Sequence, residues 1–427
     1  MIIAFQKHLL LALVAVTVVA SACQHQSAKT AGTLQLSREF INEQLDDAEA
    51  QIKILTDSVP ADRMPRTFQG DTSVFSNTGW WTSGFYPGSL LYLYEYSGDE
   101  RLLQLAKDKL RILEKEKYNK GTHDLGFMLY CSFGNALRLT GDTAAYKEIL
   151  LTGAQSLISR YNPAVKAIRS WEGWTYPVII DNMMNLEFLI QASELSGDSK
   201  YRDIAVTHAN TTMVNHYRSD YSSYHVIDYN PEDGSIVGRK TAQGAFDESA
   251  WARGQAWGLY GYVMMFREIG DEAYLEFAEH VAAFLLNHPN MPNDLVPYWD
   301  FDAPGLSMES PYAAHYKTNR DASAAAIIAS ALIELSTFTK GAESDGYLRS
   351  AERILESLSA APYKAELGTN GGFILKYSVG SIPHDSEIDV PLTYADYYYI
   401  EALMRYRRLL DGKPVVGAFY RETIGRG

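Results

Sequence analysis

MMNLEFLIQASELSGD, residues 183–198, is apolar around nearly all of a helical circumference and then breaks at Gly197-Asp198. A helix of that kind is surrounded by protein rather than water. The glycine suits the left-handed conformation that ends one helix, and the aspartate suits the N-cap of the next. The same turn recurs at Ser97-Gly98-Asp99, Thr140-Gly141-Asp142 and Ile269-Gly270-Asp271, with a degenerate copy at Lys340-Gly341. After each turn the pattern becomes amphipathic at helical spacing, as in Leu102, Leu103, Ala106, Leu110 and Leu113, or Tyr274, Phe277, Ala278, Val281 and Leu285. Each repeat therefore pairs an enclosed helix with one that shows a face to solvent.

Five such pairs account for residues from about 84 to 359, leaving an amphipathic stretch near 36–57 and an aromatic, apolar stretch near 392–409. Pairing these two ends as a sixth unit predicts an all-α fold, an (α/α)6 barrel of six inner and six outer helices. Loop decorations are expected on one rim, with strand-like stretches at Tyr224 to Tyr229 and Gly372 to Val379. The alternative is an open helical solenoid.

Of the 427 residues, 46% are hydrophobic and 21% charged, so the chain can bury a large core. A net charge of -14 gives no support to a nucleic-acid or polyanion-wrapping surface, which needs a basic stripe. An anionic ligand would have to be small and met by local Arg, His or Lys. The 29 Tyr and 7 Trp serve helix packing and are also suited to stacking on sugar faces.

Residues 1–22 read as a signal segment, with Lys7 and His8 ahead of an apolar run from Leu9 to Ala20. The run is short for a bilayer span. Val19-Ala20-Ser21-Ala22-Cys23 resembles a bacterial lipoprotein processing site, so Cys23 is the expected lipidated residue and residues 23–35 the tether. The domain expected to carry the chemistry is 36–427, exported, periplasmic and joined to the membrane only through its N-terminal lipid. Cys131, the other cysteine, sits in an apolar context and is expected in the core.

The residues that do not look like core fall at a nearly constant distance before the Gly-Asp turns. Trp80 precedes its turn by about 18 residues, Asp124 by about 17, Asp181 by about 16 and Arg253 by about 17. At about 1.5 Å per residue these positions share one end of the inner helices. Trp80, Trp81, Asp124, Asp181, Arg253 and Trp257 should thus converge on one cavity mouth. Two carboxylates among tryptophans suit glycoside cleavage, in which one group delivers a proton and the other supports water or charge. Each aspartate is open to a second reading as a helix cap, and Arg253 to one as an ion-pair partner of Glu248. No paired metal-ligand spacing, phosphate loop or nucleophilic serine motif accompanies them, and neither metal nor cofactor is implied.

Four strings at these positions, NTGWWTSGFYPG (77–88), HDLGF (123–127), IDNMMNL (180–186) and WARGQAWG (251–258), resemble the unsaturated glucuronyl hydrolase family. The resemblance spans about residues 36–410 and implies an (α/α)6 barrel acting on products of polysaccharide lyases. By it, Asp181 corresponds to the acid/base that protonates C4 of a 4,5-unsaturated uronic acid while activating water toward C5. Asp124 corresponds to the second aspartate, and His225, Gln243, Arg253 and Trp257 to residues that hold the uronate, with Arg253 its carboxylate partner. Trp81 and Trp171 resemble subsite walls, Trp174 being the alternative to the latter. Ser378 and Ser381, with Lys376, fall in the family's selectivity loop. Pro383 stands where some sulfate-tolerant members carry lysine, which leaves sulfate preference open. The implied partners are unsaturated uronyl disaccharides or oligosaccharides. The alternatives are an unsaturated rhamnogalacturonyl hydrolase and, from another class, a sugar-binding lipoprotein without turnover.

Overall fold

The computed structural model describes residues 34–416; the signal segment, Cys23 and the tether up to residue 33 lie outside the described residues. Among the described residues there are twelve α-helices: α1 (Arg38–Ser58), α2 (Phe85–Ser97), α3 (Glu100–Leu113), α4 (Asn135–Thr140), α5 (Thr143–Ile158), α6 (Leu186–Ser196), α7 (Lys200–Asn215), α8 (Ala252–Ile269), α9 (Glu272–Asn287), α10 (Ala322–Phe338), α11 (Gly341–Leu358) and α12 (Thr393–Leu410). The two classes of helix foreseen from the pattern are evident in their burial. In α10 every residue from Ala322 to Ser336 is buried, whereas α3 buries only one stripe from Leu102 to Leu113.

The turns behave as their chemistry dictates. Gly98, Gly141, Gly197 and Gly270 close their helices at φ between 66° and 76°, a region open to glycine at little cost. Asp99, Asp142 and Asp271 cap the following helices through backbone N–H groups of Arg101, Ala145 and Ala273. Asp198 departs by one residue: Ser199 is the N-cap of α7, and the Asp198 carboxylate accepts from the Lys200 N–H at 3.0 Å.

Contacts run from α2 to the π-helical segment Gly126–Gly134 ahead of α4, then to α6, α8, α10, α12 and back to α2. This return makes the fold an α/α barrel and removes the open solenoid. Helices α1, α3, α5, α7, α9 and α11 pack around it.

Two inner segments are not plain α-helix. Gly126–Gly134 is π-helical, the Phe127 N–H being taken by the Asn185 side chain at 3.1 Å. Ile180–Asn185 is a 3-10 turn leading into α6. Both carry or follow the aspartates singled out above, and irregular helix is common at functional sites.

Among the described residues nine short strands form the decorations: β1 (Met64–Gln69) with β2 (Thr72–Ser76), β3 (Tyr161–Asn162) with β4 (Ala167–Ile168), β5 (Pro177–Ile179), β6 (Val226–Tyr229) and β7 (Ile236–Lys240) in one sheet, and β8 (Ser378–Ser381) with β9 (Ser386–Val390). All pairings are antiparallel. The strand expected over 372–379 begins only at Ser378, because Gly371 and Gly372 adopt φ of 62° and 87° in a turn.

Candidate active site

Asp181 lies two residues beyond the end of β5, and β5 pairs with β6, which begins one residue after His225. The Ile180 N–H donates to the His225 carbonyl at 3.1 Å, so the sheet register itself sets these two side chains side by side. His225 Nε2 lies 3.7 Å from Asp181 Oδ2. His225 Nδ1 accepts from the N–H groups of Ala242 and Gln243 at 3.0 and 3.2 Å. The ring proton of a neutral imidazole must then sit on Nε2, facing Asp181. Burial also holds the imidazole well below its usual pKa, with the Arg253 charge adding to the effect.

Asp181 is 8% exposed, and its Oδ2 has no hydrogen-bond partner. Burial pushes its carboxyl up to about 7; Arg253 opposes the rise and the like charge of Asp124 adds to it. Trp257, fully buried, acts on Asp181 through its indole N–H and also lowers the value, although that N–H completes no hydrogen bond of ordinary geometry. A carboxyl with a free oxygen and a proton held to neutrality is suited to general acid chemistry.

Asp124 is fixed differently. Its Oδ2 accepts from Thr122 Oγ1 at 2.7 Å, and its Oδ1 lies 3.3 Å from His123 Nε2. The other ring nitrogen, His123 Nδ1, meets Asn182 Oδ1 at 2.6 Å, which ties the Asp124 loop to the residue after Asp181. Neither aspartate caps its helix, since no side-chain cap bond is formed at the start of either segment. The capping alternative is thereby removed for both.

Arg253 is 1% exposed and is not paired with Glu248; its ion partner is Asp321 at 3.2 Å. Its Nη atoms also donate to the carbonyls of Val379 and of Gly380, the latter at 2.7 Å, and the guanidinium lies over the rings of Trp251 and Tyr394. The arginine thus anchors the β8–β9 hairpin and sets a buried positive charge near Asp181, while its buried Nε–H has no hydrogen-bond partner. Gln243 is tied to the same hairpin, donating to the Gly380 carbonyl at 3.0 Å.

The aromatic residues form two groups, one around Trp81 and one around Trp171. Trp81 packs on Phe85, Phe127 and Tyr394, and Phe127 on Trp257 at 5.1 Å between centroids. Trp171 stands edge-on to both Trp174 and His225, at 5.9 and 6.3 Å, which places Trp171 rather than Trp174 beside the histidine. Ser378 is fully buried with an unpartnered hydroxyl, and Ser381 bonds to His384 Nδ1 at 2.7 Å. Lys376 lies 5.6 Å from the Tyr377 ring centroid.

Asp321 and Tyr394 went unforeseen. Asp321 reads in sequence as the N-cap of α10, which it is, through the N–H groups of Ser323 and Ala324. The Ala-Ser-Ala-Ala run after it supplies no hint of a buried arginine. His208 of α7 is fully enclosed and accepts from the Ile168 N–H at 3.0 Å, so it belongs to packing. Cys131, expected in the core, is half-buried against it and lines a small cavity of about 60 Å³; desolvation drives its thiol far up, leaving it inert.

The chain is similar to known proteins over most of its length. The family model of Glycosyl Hydrolase Family 88 matches residues 56–407. The unsaturated glucuronyl hydrolase of Formosa agariphila is 46% identical over 334 residues, 77% of this chain and 80% of that relative. The crystal structure of an unsaturated glucuronyl hydrolase specific for heparin is 47% identical, with a TM-score of 0.82, covering 88% of this chain and 99% of that one. A variant of the Streptococcus agalactiae unsaturated glucuronyl hydrolase, complexed with dGlcA-GalNAc6S, is 27% identical with a TM-score of 0.74, covering 89% and 97%.

Proposed function

Since this chain belongs to glycosyl hydrolase family 88, we propose that its rim cavity removes an unsaturated uronic acid from the end of an oligosaccharide by adding water across the sugar's C4=C5 bond. The observation that carries the mechanism is the Asp181 carboxyl, held near 7 with one oxygen free. In its protonated form it gives its proton to C4, and the carboxylate so formed takes a proton from the water that adds at C5. The hemiketal at C5 then opens, and the neighbouring sugar leaves. The acid is regenerated in the same step, and no covalent sugar–enzyme bond is required.

The other residues divide the remaining work. Asp124 keeps the Asp181 proton in place by charge and contacts the unsaturated ring. His225 offers its Nε2–H toward the same space. Trp257, Trp81 and Trp171 enclose the ring and exclude water, which strengthens every electrostatic contact within. Gln243 and Arg253 hold the β8–β9 hairpin, with Ser378 and Ser381, against the leaving sugar. Arg253 serves the uronate carboxylate by its charge, with Nη1 and Nη2 anchored to Asp321 and the hairpin and its buried Nε–H left without a protein partner.

The likeness at 47% identity to an enzyme specific for heparin favours heparin-derived disaccharides as substrate. We read the barrel as six helical hairpins, with α12 and α1 the sixth. From Val19 to Cys23 we read a lipid attachment site and membrane-anchored export, testable by mass spectrometry of the mature N-terminus.

The test is turnover on unsaturated disaccharides from heparin, chondroitin, hyaluronan and pectin lyases, followed by loss of double-bond absorbance. Wild-type turnover is expected to be fastest on the heparin product. Strict preference for the pectin product contradicts the substrate assignment.

A further inference from the structure

We propose that Trp80 is a stacking platform for a sugar beyond the first leaving residue, so that this enzyme holds oligosaccharides more tightly than disaccharides; the inference rests on the hydrolase reading above. Among the described residues Trp80 is the one tryptophan in the exposed class, with 38% of its surface in solvent. Leaving an indole uncovered forgoes the stabilisation that its burial would bring. The ring is nevertheless held firmly. The Arg66 guanidinium lies 4.1 Å over it, and Arg66 is itself fixed by Glu387 Oε1, at 3.0 Å from Nε and 2.9 Å from Nη2.

Glu387 belongs to β9, and the opposite strand β8 offers the Gly380 carbonyl to Arg253 and Gln243. One hairpin therefore grips the inner site on one strand and the outer tryptophan on the other. The next residue, Trp81, turns inward onto Phe127 and Tyr394. Consecutive tryptophans thus carry an aromatic surface from the packed rings of Phe127 and Tyr394 out to solvent, where a second sugar of the leaving saccharide would lie. Because Glu387 neutralises Arg66, the platform suits the C–H face of a pyranose rather than an isolated sulfate.

Binding to the Asp181→Asn protein, read by titration calorimetry with an unsaturated disaccharide and an unsaturated tetrasaccharide, separates this proposal from the catalytic one. Adding Trp80→Ala should weaken the tetrasaccharide about 5- to 10-fold and change the disaccharide less than about twofold, with Trp80→Phe restoring most of the loss. An equal loss on both ligands, or none on the tetrasaccharide, overturns it. Turnover of the disaccharide by the wild-type chain tests the hydrolase reading independently.

Discussion

The Asp181 carboxyl is the most finely balanced group in the protein. Burial and the charge of Asp124 raise it, Arg253 and Trp257 lower it, and the outcome is about 7. If the protonated form is the working acid, kcat should fall as pH rises through that value. Asp124→Asn removes the like charge, which lets Asp181 ionise more readily, so the alkaline limb of the profile should move to lower pH. An unmoved limb, measured as kcat against pH on a saturating disaccharide, separates Asp124 from this role. Both aspartates were legible because each precedes its Gly-Asp turn by a nearly fixed interval, which a barrel converts into one rim. The Arg253 partner was not, since Asp321 lies 68 positions away and carries an ordinary capping signature.

At the scale of elements, the two irregular inner segments touch where Gly126 meets Asn185. A Cβ on Gly126 would stand 2.6 Å from Asn185 Oδ1 and 2.7 Å from its Cα, closer than real contacts allow. Gly126→Ala should therefore lower stability by about 1–3 kcal/mol, read by urea unfolding. It should also reduce kcat more than tenfold, because the displaced segments carry both aspartates. Loss of stability with kcat intact assigns Gly126 to packing alone. The paired inner and outer helices were legible from glycine, aspartate and apolar period, local signals that each segment carries by itself. The π-helix was not, because it depends on an Asn185 side chain brought in from the next hairpin. The β1–β2 hairpin escaped notice for a related reason: β2 is exposed or half-buried over most of its length and so carries no buried alternation of its own.

Across the whole molecule, closure of the barrel draws on buried charge as well as apolar packing. Glu334 of α10 accepts from Arg267 of α8 at 2.6 and 2.8 Å and from Arg405 of α12 at 2.9 Å. Glu334 and Arg405 are buried, at 1% and 5% exposed, and Arg267 is half-buried. Glu334→Ala removes the one carboxylate shared by both arginines, leaving Arg267 with Glu187 and Glu268 and Arg405 with Glu401, and should cost about 1–3 kcal/mol, with the loss seen in thermal unfolding and activity retained at low temperature. A change below about 1 kcal/mol means those remaining partners suffice. Closure was argued in sequence from two leftover ends, and the return of α12 onto α2 agrees with it. The charges that brace it were not legible, since single Glu and Arg residues inside apolar helices resemble solvated positions until their neighbours are known.

The central claim is hydration by Asp181, and the most direct measurement follows double-bond absorbance and release of the leaving sugar together in D2O. The account predicts that both proceed at one rate, that deuterium appears on C4, and that Asp181→Asn loses about a thousandfold in kcat while keeping its fold. Release of the sugar with the absorbance intact, or full activity in Asp181→Asn, contradicts it.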